Sequence, residues 1–316
     1  MPHARVNGVE LYYEVDGPED GPPLVLVMGY GTQMTSWPHQ FHQYLCKAGM
    51  RVIRFDNRDV GLSQKFDGVV PDIKAVMTAV GAGATPDIPY ALNDMADDVA
   101  ALLSHLGIAS AHIKGSSMGG MIAQLVALRH PHRTRSLISI MSTTSDPSLP
   151  RSDPEAQAAL MRKPESERKE DVVALGVANR HVLGGTAYPE YEETLRARIA
   201  ANYDRSFYPE GTLRQWAAIV ASPPRTQPLN ALNCPTLVIH GDADPLIKAE
   251  AGRHTAACIA GAEYLEIPGW GHAMSPAAVE AVAGPMVRFI SSVESARADA
   301  FAVRPAPGCC GATPGD

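Results

Sequence analysis

Short, mostly apolar runs recur along the chain at residues 24–28, 51–55, 110–113, 137–141, 235–240 and 264–267. Each is the size of a strand and lacks a polar face, the pattern of strands buried on both sides. Stretches of helical character lie between them, over 37–48, 90–106 and 121–129. In the second, Met95, Val99, Leu102, Leu103 and Leu106 recur at short steps that put them on one face of a helix. Strand and helix alternation of this kind predicts a parallel sheet with right-handed crossovers. The start of the chain differs: residues 9–15 alternate like a half-exposed strand and 17–23 read as a turn, so the sheet should begin with an antiparallel edge. A last helix is expected over 277–293.

The alternation stops at Ser142. From about 145 to 228 the chain turns polar and helical, and a strand at Thr236 resumes the pattern. An insertion at that point would stand over the carboxyl edge of the sheet as a cap. The expected division is a core in two parts, 1–144 and 229–295, a helical cap over 145–228, and a disordered tail over 296–316 whose end is rich in Pro and Gly. The charge run 162–171 reads as a solvated helix face. Leu160, Val177, Leu183, Tyr188, Phe207, Trp216 and Ile219 are the apolar cap residues available to face inward. Two loops, 64–89 and 142–154, are long enough to shape an entrance, and Gly81 and Gly83 would let the first flex.

Composition narrows the function classes. With 316 residues, 45% hydrophobic and 19% charged, the chain can bury one large core carrying an insertion. A formal net charge of -7 without acidic blocks leaves no basic footprint, so no nucleic-acid partner is expected. No apolar stretch approaches the roughly 20 residues that span a bilayer, and the start lacks the apolar core of a secretory signal. A cytoplasmic protein is the expectation. Five cysteines, an odd and scattered set, make a poor disulfide framework. Cys46, Cys234 and Cys258 read as buried thiols, and Cys309 and Cys310 in the tail have no companion Cys/His cluster, so no metal is expected.

The candidate chemistry centres on Lys114-Gly115-Ser116-Ser117-Met118-Gly119-Gly120, between a predicted strand and a predicted helix. Strand, sharp turn and helix are the context of a G-x-S-x-G nucleophile elbow, in which small residues let the serine sit at a strained bend above the sheet. Ser117 is the candidate nucleophile. A serine hydroxyl needs a histidine base and a carboxylate that orients it. His272 in Pro268-Gly269-Trp270-Gly271-His272 and Asp244 in Gly241-Asp242-Ala243-Asp244-Pro245 each follow a predicted strand end, where loops of a parallel sheet converge. Asp242 and Asp146 compete for the acid's role, and His240 at a strand end reads as structural. A dinucleotide reading of Gly29-x-Gly31 with Asp56 fails on its missing third glycine, where Met34 stands, and leaves the Ser, Asp and His motifs unexplained.

These motifs, together with Met28-Gly29-Tyr30-Gly31 and Asp56-Asn57-Arg58-Asp59-Val60-Gly61-Leu62-Ser63, resemble the α/β-hydrolase fold superfamily over nearly the whole chain. Within it the chain is similar to the cap-bearing serine esterases that include the anthracycline methylesterases, which also carry a VMG segment. The resemblance implies a mostly parallel sheet flanked by helices, no cofactor, and a Ser117, Asp244 and His272 triad acting on a small apolar ester. The backbone N–H of Met118 suits the oxyanion by its place at a helix start, and by resemblance the N–H of Tyr30 joins it. Lactonases, perhydrolases and carbon–carbon bond hydrolases share this triad, so the fold alone does not choose the substrate. A ligand-binding module on the same fold is the non-enzymatic alternative. Methionines near the elbow, Met28, Met34, Met118 and Met121, would suit an adaptable acyl pocket or simply the core.

Overall fold

The computed structural model describes residues 2–302. It opens with a hairpin of β1 (His3–Val6) and β2 (Val9–Asp16), joined through Asn7 and Gly8, both at positive φ as tight hairpin turns require. Then come β3 (Pro23–Val27), α1 (His39–Lys47), β4 (Arg51–Phe55), α2 (Ile73–Gly81), α3 (Leu92–His105), β5 (Ala111–Ser116), α4 (Met118–Arg129) and β6 (Thr134–Ile140). The helical insertion follows, with α5 (Pro154–Met161), α6 (Lys169–Leu183), α7 (Glu192–Arg205), α8 (Glu210–Ala221) and α9 (Thr226–Asn230). The chain returns to the sheet through β7 (Thr236–Gly241), α10 (Ala249–Cys258), β8 (Glu263–Ile267) and α11 (Val279–Ala302).

The strands form an eight-stranded sheet in the order β1-β2-β4-β3-β5-β6-β7-β8. β2 runs antiparallel to β1 and β4, and the remaining pairs are parallel. Alternate residues of one strand serve opposite faces: Val25 and Val27 join the core under α3 and α4, while Leu24 and Leu26 join the core under α1 and α11. Register then positions the site. Val27 is opposite Gly115, Ser116 opposite Ile140, and Gly241 opposite Ile267. The loops leaving β3, β5, β6, β7 and β8 therefore emerge along one edge of the sheet.

Three expectations change. The segment 64–89 holds α2, started by Asp72, whose carboxylate accepts from the Ala75 N–H at 3.0 Å. The helix's apolar residues Ile73, Val76, Met77 and Val80 follow a helical spacing, but over only nine residues set between Pro, Asp and Gly, so the segment reads as loop; Met77 and Val80 are exposed. The expected tail is helical at its start, since α11 continues through 296–302; the rest, with Cys309 and Cys310, lies outside the described residues. Most of the charge run 162–171 precedes α6 and lies in solvent-facing bends rather than on a helix. No helix among the described residues is long and apolar enough to cross a membrane.

Candidate active site

Ser117 links β5 to α4 with φ 56° and ψ −122°, a conformation that non-glycine residues rarely adopt. The bend is closed so tightly that a Cβ on Gly115 would lie 1.9 Å from the Gly119 carbonyl oxygen. One on Gly119 would lie 2.2 Å from the Val27 oxygen. Backbone crowding is thus what the glycines relieve. The strained conformation is held from both sides: the Ser117 N–H donates to Ile140 O at 2.9 Å, and the Ser142 hydroxyl donates to Ser117 O at 2.8 Å.

His272 lies in the loop after β8, with Nε2 2.9 Å from Ser117 Oγ and Nδ1 2.7 Å from Asp244 Oδ2. An acidic partner at Nδ1 favours the tautomer with its proton there, leaving Nε2 to accept from the serine hydroxyl. Asp244 is buried, and its other oxygen accepts from the N–H groups of Leu246 and Ile247, each at 2.9 Å. Burial alone would raise its carboxyl; His272 and His240 beside it outweigh that and hold it well below the usual carboxylate range. His240 touches Asp244 at 3.4 Å and also meets Ile247 O at 2.8 Å. The rival acids are engaged elsewhere, Asp146 with Ser148 and Thr226, and Asp242 with the Gly269 N–H.

Beside the serine, the loop after β3 passes so close that a Cβ on Gly29 would lie 3.4 Å from Ser117 Cβ. Among the described residues, the N–H groups of Tyr30 and Met118 meet no other acceptor. Met118 begins α4, so the positive end of that helix also points at this spot. Two N–H groups free beside a serine hydroxyl can take a developing oxyanion.

Over these groups lies a cavity of about 320 Å³, a small-molecule size. Met28, Met141 and Met274 line its core side, and Leu160, Leu183, Leu195 and Ile199 its cap side. Of the methionines expected there, Met34, Met118 and Met121 are buried in packing instead. Of the cap residues expected to face inward, only Leu160 and Leu183 line the cavity. Trp216 packs edge-on against Tyr30, Phe207 stacks on Tyr203, Tyr188 packs against the core under α11, Ile219 against the core under α4, and Val177 is buried.

Residues 22–276 match the family model described as alpha/beta hydrolase fold. The chain belongs to that family. This α/β hydrolase is 29% identical over 300 residues to rhodomycin D methylesterase DauP of Streptomyces sp. (strain C5), a match covering 87% of this chain and 93% of that one. It is 27% identical to the bifunctional esterase/perhydrolase DCH of Acinetobacter calcoaceticus, over 90% of this chain and 98% of that one. Among solved structures it resembles a thermophilic esterase from Thermogutta terrifontis, with TM-score 0.65, 27% identity and coverage of 94% and 99%. The enol-lactonase from Burkholderia xenovorans LB400 superposes with TM-score 0.67 at 25% identity, over 93% and 100%.

Several residues that shape the hydrolase's site carry no sequence signature. Gln215 of α8 is fully buried; its Oε1 accepts from the Gly31 N–H at 2.8 Å, and its Nε2 donates to Arg58 O at 2.9 Å. It thereby ties the Tyr30 loop to the insertion. The His272 N–H donates to Leu183 O at 2.6 Å, so the end of α6 holds the histidine loop. Asp56, Arg58 and Asp59, expected as loop ties, make buried ion pairs: Asp56 with Arg205 at 2.7 Å, Arg58 with Asp98 at 2.6 Å, and Asp59 with Arg214 at 2.8 Å. Asp56 also accepts from the N–H groups of Met34 and Leu62, leaving it nothing for a ribose.

Proposed function

We propose that this α/β hydrolase cleaves carboxylic esters through an acyl-enzyme, with Ser117 as nucleophile, His272 as general base and acid, and Asp244 as the group that orients the imidazole. The reading rests on the continuous hydrogen-bond chain Ser117–His272–Asp244, at 2.9 and 2.7 Å, at the floor of a largely apolar cavity. Ser117 Oγ attacks the ester carbonyl as its proton passes to His272 Nε2, and the imidazolium so formed is stabilised by Asp244. The tetrahedral oxyanion takes hydrogen bonds from the N–H groups of Met118 and Tyr30. Collapse breaks the bond to the alcohol oxygen, which leaves with the proton from His272. Water then repeats the sequence on the acyl-serine, releasing the acid and restoring the hydroxyl.

The insertion, residues 145–228, serves as the cap that closes the acyl or alcohol pocket and limits substrates to small, mostly apolar esters. Relatives with esterase names support the ester as substrate. The test is turnover of a short 4-nitrophenyl ester. Turnover should vanish in Ser117→Ala, and a phosphonate should label Ser117 and no other residue. Turnover surviving in Ser117→Ala, or label on another side chain, refutes the assignment.

A further inference from the structure

The cavity wall contributed by the insertion is not apolar throughout. Asn179 and Arg180 of α6 and Arg198 of α7 line it beside the leucines. Both guanidinium groups turn to a single carboxylate, Glu190, whose side chain is 3% exposed. Arg198 Nη2 meets its two oxygens at 2.6 and 2.7 Å, and Arg180 Nη2 approaches one of them at 3.2 Å. Arg198 Nη1 donates to the Ser36 carbonyl. Two cations on one anion leave a positive charge unmatched, and no Asp or Glu lines the cavity among the described residues.

The donors are also incompletely used. Arg198 Nε is buried with no hydrogen-bond partner. Arg180 has Glu190 as its one ion contact among the described residues. Burial pushes its guanidinium down to about 10 despite the pull of Glu190 upward, the signature of a charge removed from water without a full counterion. Buried donors and charges in folded proteins are ordinarily satisfied. Arg180, by contrast, lines the cavity with its side chain 16% exposed, so what enters the cavity can complete its pairing.

Resting on the hydrolase reading above, we propose that Arg180 and Arg198 form an anion subsite and that the preferred ester carries a carboxylate remote from its scissile bond. The planar, forked donors of arginine match a carboxylate better than a lone point charge would. The apolar lining between that subsite and Ser117 holds the carbon chain linking the two ends. Such an enzyme prefers a half-ester of a dicarboxylic acid, or the ester of a hydroxy acid, over a neutral ester of the same shape.

Two matched pairs of esters test this. On the acyl side they are the 4-nitrophenyl hemiester of glutarate and 4-nitrophenyl 5-methylhexanoate; on the alcohol side, 4-(hexanoyloxy)butanoate and 4-methylpentyl hexanoate. Each pair differs in a carboxylate against an isopropyl group. After subtraction of the enzyme-free rate, kcat/KM should favour the anionic member of one pair by about ten- to hundredfold, the worth of a charged hydrogen bond. That ratio should fall at least tenfold in Arg180→Met and in Arg198→Met, and Arg198→Lys should retain part of it. Parity in both pairs, or a ratio indifferent to both Met substitutions, overturns the subsite. Titration of glutarate into Ser117→Ala separates the two claims. Binding that disappears when Arg180→Met is added upholds the subsite even if no ester is hydrolysed, and no binding removes it.

Discussion

Gln215→Met offers the sharpest test of how the insertion reaches the chemistry. The methionine nearly matches the glutamine in volume but removes both hydrogen bonds that tie α8 to the core, to Gly31 at 2.8 Å and Arg58 at 2.9 Å. Each backbone group left without its partner costs about 1–3 kcal/mol, so unfolding stability should drop by about 2–6 kcal/mol. That is a large part of the roughly 5–15 kcal/mol typical of a domain. The same change frees the loop that carries the Tyr30 N–H, the proposed oxyanion donor. Complete loss of one oxyanion donor lowers kcat by about 10²–10³. The Tyr30 group would still be present but unheld, so kcat should fall at least about tenfold and at most by that amount, with KM changed much less. Urea titration measures the first effect, and steady-state kinetics on a short 4-nitrophenyl ester the second. A kcat within twofold of the parent, in a protein that has lost the expected stability, refutes the role of Gln215 in positioning Tyr30.

Asp244→Asn should lower kcat by about 10⁴, the scale for a triad whose histidine takes the wrong tautomer; a loss under tenfold in steady-state kinetics would contradict the orienting role. Gly119→Ala places a Cβ 2.2 Å from the Val27 oxygen, a backbone atom, and should destabilise the fold by about 3 kcal/mol or prevent folding, measured by thermal melting. Lys114 is fully buried over the rings of Trp37 and Phe41, and burial pushes its ammonium down to about 7. Because the unfolded chain keeps this lysine protonated to about pH 10.4, it binds more protons than the folded chain between those values, and stability rises with pH across them. Lys114→Met should therefore be more stable than the parent at pH 7, with an advantage that shrinks by pH 9 in urea titrations. An advantage that grows with pH would reverse the sign of this argument.

The parallel sheet was legible because its signals are local. The apolar run 24–28 is interrupted by nothing polar, and the elbow's glycines advertise a bend that only they fit. The order of the Ser, Asp and His motifs, each past a strand end, marked the three residues that meet at 2.9 and 2.7 Å. Helix α2 escaped notice because its apolar stripe, Ile73, Val76, Met77 and Val80, is only two turns long and lies between Pro-, Gly- and Asp-rich stretches that read as loop. The inward faces of the insertion escaped for a related reason: its helices are polar on several sides, and Leu195 or Ile199 reach the cavity only through the way α6 and α7 pair.

The sequence by itself determined the fold, the bend that carries Ser117 and Asp244 as the leading acid with two rivals, because strand periodicity, glycine sterics and motif order act over a few neighbouring residues. Only the tertiary structure decided that Asp244 rather than Asp146 or Asp242 meets His272, that Gln215 holds the Tyr30 loop from 184 positions away, and that two arginines share one glutamate beside the cavity. Those outcomes depend on how close folded segments come and on which polar groups burial leaves to pair, and neither quantity is written in any short stretch of chain.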